Sequence, residues 1–75
     1  MKLLFFTAEW CGACKQMKKK MVNIDYIEKD IEIQENANLA NQYNIKTLPT
    51  FLFLDKNNDE IKRIVGACDI SAFNE

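Results

Sequence analysis

A chain of 75 residues, 48% hydrophobic and with a formal charge of −1, has room for one small domain over residues 1–75 and none for a large cofactor cavity. That charge gives no electrostatic footing for nucleic acid or an anionic membrane, and no apolar run nears the ~20 residues of a membrane span. Three cysteines make an odd count, unlike a disulfide-stapled secreted domain, so they read as chemical groups in a reducing cytoplasm; without histidine there is no imidazole base or ligand.

In chain order, residues 2–7 are apolar on both faces, as a central buried strand is. The run Leu3-Leu4-Phe5-Phe6 is too short for a signal peptide and flows into the next stretch, Trp10-Cys11-Gly12-Ala13-Cys14. A helix is expected over residues 11–22, with Met17, Met21 and Val22 inward and Lys15, Lys18 and Lys19 outward. Cys11 then stands at the helix mouth, where unpaired N–H groups and the macrodipole favour a thiolate. Cys14 follows about one turn on, within disulfide reach, while Gly12 and Ala13 keep the turn tight and leave room for a partner's sulfur. This pattern reads as a site of dithiol–disulfide exchange. Lys18-Lys19-Lys20 reads as a solvated face that complements the helix C-terminus.

A second strand is expected from Asn23-Ile24-Asp25 through Tyr26 and Ile27 to about Lys29, and Ile31 and Ile33 fall in a connecting turn. From Glu35 a second helix carries Leu39, Ala40 and Tyr43 on one face and asparagines on the other. A strand, a helix and a strand at this spacing make a parallel pair. The only proline lies in Ile45-Lys46-Thr47-Leu48-Pro49-Thr50. Strands Phe51–Leu54 and Glu60–Val65 flank the polar turn of residues 55–59 as a hairpin, Gly66 breaks the second, and residues 69–73 form a short last helix.

The order β-α-β-α-β-β-α, with a dithiol after the first strand, resembles the thioredoxin superfamily in its smallest form over nearly the whole chain. The resemblance implies an α/β fold with a four-stranded mixed sheet and helices on both faces, at the length of glutaredoxins and related small redoxins. Trp10-Cys11-Gly12-Ala13-Cys14-Lys15 is similar to the family's active stretch, with alanine where proline is usual. Thr47-Leu48-Pro49-Thr50 is similar to its cis-proline loop, and Gly66 to the glycine before the last helix.

From this resemblance, Cys11 is the attacking thiolate and Cys14 the resolving thiol of a redox-active disulfide that needs no bound cofactor or metal. Trp10 flanks them, and Trp10, Gly12, Ala13, Thr47, Leu48, Pro49 and Gly66 contact a protein-disulfide substrate. A cis Leu48–Pro49 bond beside the cysteines leaves neighbouring backbone free to pair with an extended segment. Phe5 departs from the pattern, since the family buries an aspartate near this point as proton acceptor for the resolving cysteine. Asp30 or Glu32 could take that part, as could water, the Lys15 region or the substrate. Gly66-Ala67-Cys68-Asp69 partly matches the glutathione-binding stretch of glutaredoxins, but Ala67 and Ile70 stand where a second glycine and a second aspartate would. Cys68 also reads as a semi-buried small residue, and Asp69 as a helix cap. The expected activity is that of a monomeric, cytoplasmic disulfide reductase, recharged by a thioredoxin-type reductase or by glutathione. The rival readings are a zinc or iron–sulfur module, for which ligands are few, and an interaction protein with a vestigial CxxC.

Overall fold

The computed structural model describes residues 1–74. Strand β1 (Lys2–Thr7) leads to helix α1 (Gly12–Lys20), strand β2 (Ile27–Asp30), helix α2 (Gln34–Gln42), strands β3 (Thr50–Leu54) and β4 (Glu60–Val65), and a 3₁₀ helix (Ile70–Asn74). The sheet runs β2-β1-β3-β4. Strand β1 pairs with β2 in parallel, from Leu4 opposite Ile27 to Thr7 opposite Asp30. It pairs antiparallel with β3, with Phe5 opposite Phe51, and β3 pairs antiparallel with β4. The four-stranded mixed sheet expected from the sequence is therefore present.

Both inner strands are buried on both faces, which explains their unbroken apolar runs. On one face Leu3, Phe5, Phe51 and Phe53 meet Cys14, Met17 and Met21 of the α1 region. On the other, Leu4, Phe6, Leu52 and Leu54 meet Ala40 of α2, with Leu39 and Tyr43 at the margin. Phe5 stacks on Phe51 at 5.0 Å between centroids, and Phe51 meets Phe73 at 4.9 Å, which fastens the 3₁₀ helix to the α1 face. Arg63 of β4 donates to the Tyr43 carbonyl at 2.6 Å and so holds the C-terminal end of α2. Lys18 pairs with Glu28 at 2.9 Å, joining α1 to β2 and holding the Lys18 ammonium above its ordinary range.

Besides one-residue shifts at the starts of α1, α2 and β3, three differences from expectation change the reading of the chain. Helix α1 stops at Lys20: the Met21 N–H closes it on Met17 and Lys18, and the buried Met21 side chain turns the chain outward. Val22 is consequently 77% exposed rather than inward. The second strand begins at Ile27, not Asn23. The turn continues to Ile24, whose N–H binds the Met21 carbonyl, and Tyr26 instead meets Phe5 edge-on at 5.5 Å. The last element is a 3₁₀ helix starting at Ile70, because Asp69 caps it from outside, accepting the Ser71 N–H at 3.2 Å.

Candidate active site

The end of β1 and the start of α1 are joined by one tight turn, in which the Cys11 N–H donates to the Ala8 carbonyl at 3.1 Å. Cys11 is the N-cap of α1, with extended backbone, and its Sγ accepts the Cys14 N–H at 3.1 Å. A sulfur thus occupies the position that a Ser or Asp oxygen fills at an ordinary helix start. Gly12, Ala13 and Cys14 form the first helical turn, whose N–H groups have no carbonyl inside the helix. Cys11 and Cys14 are joined as a disulfide across this turn, with Cα atoms 5.2 Å apart. Their exposure is unequal: Cys11 is 7% exposed and Cys14 wholly buried. A partner's sulfur therefore meets Cys11 first.

Trp10 stands 69% exposed beside the disulfide. Its ring forms one wall of an open cleft of about 290 Å³, whose other sides are Thr47 and Leu48 before the proline, Ile45 and Lys46, and Ala37 of α2. Ile31 completes the cleft, and the sequence alone did not single it out. The signal was its apolar side chain just past Asp30, but it gains meaning only through parallel pairing, where the Ile31 N–H binds the Thr7 carbonyl at 2.9 Å.

The Leu48–Pro49 peptide is cis. Pro49 is buried, and its carbonyl accepts the Gly66 N–H at 2.8 Å, which draws the end of β4 against the proline loop. Gly66 has φ +88°, a conformation that a side chain resists. The fold thus brings Trp10, Thr47 and Leu48 to one cleft and ties Gly66 to Pro49, all at the disulfide end of the sheet.

Cys68 and Asp69 do not join them. Cys68 is half-buried against the α1-face core, and burial pushes its thiol up from the ordinary value, with Lys20 and Lys62 near enough to pull it down. Asp69 spends its Oδ1 on the Ser71 N–H. Neither residue lines the cleft. Phe5 occupies its place in β1 as a wholly buried ring, with no carboxylate beside it in the strand. Of the alternatives, Asp30 is half-buried and accepts the Glu32 N–H at 2.9 Å, while exposed Glu32 accepts the Glu9 N–H at 3.1 Å. Among the described residues, no group of three or more His, Cys, Asp or Glu is arranged to hold a metal ion.

Comparison with known proteins agrees with this architecture. The chain is 35% identical over 72 residues to "Thioredoxin-2" of Pyricularia oryzae, an alignment covering 87% of this chain and 40% of that protein. It is 33% identical over 69 residues to "Thioredoxin H2" of Arabidopsis thaliana, covering 83% of this chain and 50% of the relative. The chain therefore spans half the length of these curated relatives or less. Among solved structures, thioredoxin 1 of Thermosipho africanus superposes with a TM-score of 0.77 at 33% identity, covering 97% of this chain and 85% of that one. The family model "Thioredoxin" matches residues 1–75, and the chain belongs to the thioredoxin family.

Proposed function

We propose that this protein is a thiol–disulfide oxidoreductase that reduces disulfides in other proteins through Cys11 and Cys14, as its similarity to proteins named thioredoxins suggests. The observation that carries this reading is the disulfide at the α1 N-terminus, with slightly exposed Cys11 as cap and wholly buried Cys14 one turn behind. On reduction, the Cys11 sulfur that accepts the Cys14 N–H is placed to carry thiolate charge, because helix-start donors and the macrodipole face it. That thiolate attacks a substrate disulfide and forms a mixed disulfide, and the first substrate sulfur leaves with the electron pair. Cys14 then attacks Cys11, releases the second substrate sulfur and leaves the Cys11–Cys14 disulfide. Two electrons from a reductase, with two protons from solvent, restore the dithiol, and the chemistry needs no bound cofactor.

The cleft between Trp10 and the Thr47-Leu48 segment suits an extended substrate segment, with Pro49 next after Leu48 and tied to Gly66, and with Gly12 and Ala13 leaving the approach to Cys11 open. A thioredoxin-type reductase is the favoured electron source. Glutathione is the second reading, but Cys68 and Asp69 are removed from the cleft and Asp69 is engaged in a cap. The protein works as a monomer in a reducing cytoplasm. Reduction of insulin disulfides, driven in parallel by a flavin-dependent thioredoxin reductase and by glutathione with its reductase, tests the assignment. Turnover with the first and little with the second is expected. The opposite pattern would make the protein a glutaredoxin, and turnover with neither, together with metal content lost to a chelator, would make it a metal module.

A further inference from the structure

Thr7 closes β1, and strand alternation puts its side chain on the α1 face with Leu3 and Phe5. It is 1% exposed, and its Oγ1 makes no hydrogen bond to any protein group, the one such buried side-chain atom among the described residues. A hydroxyl in that condition is unfavourable, and valine would fill the same volume without the penalty. The same face continues into Ala8, Cys11 and Cys14, and a single turn separates Thr7 from the disulfide. A disulfide sulfur offers a hydroxyl little, being a weak acceptor with no proton. Reduction changes that, since Cys14 becomes either an S–H donor or a thiolate acceptor in a place closed to solvent.

We propose that the Thr7 hydroxyl is the hydrogen-bond partner of the Cys14 sulfur in the reduced protein, supporting the resolving step in a strand where Phe5 leaves no carboxylate to do so. This rests on Cys11 and Cys14 forming a working dithiol. In the mixed disulfide at Cys11, the Cys14 thiol gives up its proton to the substrate sulfur that departs from Cys11. The Cys14 sulfur bonds to Cys11 Sγ, the bond from Cys11 to the substrate sulfur breaks, and the pair leaves on that sulfur, which takes up that same proton. Thr7 keeps its own proton throughout and donates a hydrogen bond as charge grows on Cys14. It is thus a positioning residue acting through that sulfur.

The carboxylate sharing this face is Asp30, opposite Thr7 in the parallel register, half-buried and engaged by the Glu32 N–H. The remaining titratable groups of the packed elements lie at the margins: Lys15 and the Lys18–Glu28 pair across α1 and β2, Tyr26 edge-on to Phe5, and Glu9 and Glu32 in the loops. Lys62 of β4 lies over the Phe53 ring, and Cys68 is half-buried against the same core.

Titrating each thiol by its ¹³Cβ shift in the reduced protein tests the proposal without requiring turnover. In Thr7→Val the Cys14 midpoint should rise by about one pH unit, and resolution of a preformed Cys11 mixed disulfide should slow about tenfold near neutral pH. The Cys11 midpoint should stay in place, and Thr7→Ser should restore wild-type behaviour. Thr7→Ala, which vacates the volume instead of refilling it, should shift Cys14 in the same direction and serves if the valine variant folds poorly. An unchanged Cys14 midpoint in both variants overturns the proposal, as does a larger shift in Asp30→Asn than in Thr7→Val, which would give the role to the carboxylate. Lack of protein-disulfide turnover in the wild type would instead defeat the functional reading while leaving the titration readable.

Discussion

At Cys11 one sulfur serves as helix cap and disulfide partner on a residue that keeps 7% of its surface, whereas Cys14, three residues on, has no surface at all. Two thiols of the same kind thus acquire different chemistry from position alone. Cys11→Ser should abolish disulfide reduction, since no accessible nucleophile remains. Cys14→Ser should accumulate a mixed disulfide at Cys11, and mass spectrometry of the trapped species checks both outcomes; preferential labelling of Cys14 at limiting alkylating agent would reverse the roles. Cys68 differs from both because burial raises its thiol. A group raised in the folded state contributes its stability below the unfolded thiol value, and loses it as pH climbs through the folded one. Unfolding midpoints should therefore fall above about pH 8.5, an effect that Cys68→Ser removes while leaving turnover within about twofold.

Helix α1 is short, nine residues, and its two ends are chemically unlike: a sulfur cap and bare N–H groups at the start, three lysines at the close. Both ends complement the macrodipole once the dithiol is reduced and Cys11 is charged. Ala13 matters here because it has an N–H, which the family's usual proline lacks. An added donor near Cys11 stabilises the thiolate and with it the reduced form, making a milder reductant. A potential between about −270 and about −200 mV is expected from equilibration with glutathione redox buffers, with Ala13→Pro moving it to more negative values. A wild-type potential clearly more negative than about −270 mV would contradict the argument. The proline loop and the end of β4 form the opposite wall, held by the Gly66–Pro49 hydrogen bond, so the site is a junction of three elements.

Across the molecule, aromatic rings bind elements distant in the chain: Tyr26 before β2 meets Phe5 of β1, Phe5 stacks on Phe51 of β3, and Phe51 meets Phe73 near the C-terminal end. A domain of this length has a total stability of about 4–11 kcal/mol. Phe5→Ala should remove about 3–5 kcal/mol of it, since it empties a fully buried position at the centre of that stack. Urea unfolding measures the loss, and one below about 1 kcal/mol would show that the rings repack around the gap. An aspartate in place of Phe5 would remove the ring that joins β1 to β3 in this stack and would bury a charge there.

The residues by themselves determined the element order, the pairing of β1 with β2, the hairpin and the cysteine spacing, because apolar period, turn chemistry and a three-residue step are local properties. Lys2–Thr7 and Glu60–Val65 were legible to the residue, since each is bounded by polar or breaking residues. The proline loop was legible only through family resemblance. Other features were decided by packing. Val22 has the same hydropathy inside or out, and only closure of α1 on Met21 put it in solvent. The start of β2 followed from its register with Leu4 rather than from its composition. Ile31 became a wall of the cleft because the parallel pair carries it to Trp10, twenty-one residues earlier in the chain. Thr7 reads in one dimension as an unremarked strand end. Its buried hydroxyl, on the face that leads to Cys14, exists only once strand and helix are assembled, because whether a polar atom has a partner depends on every element around it.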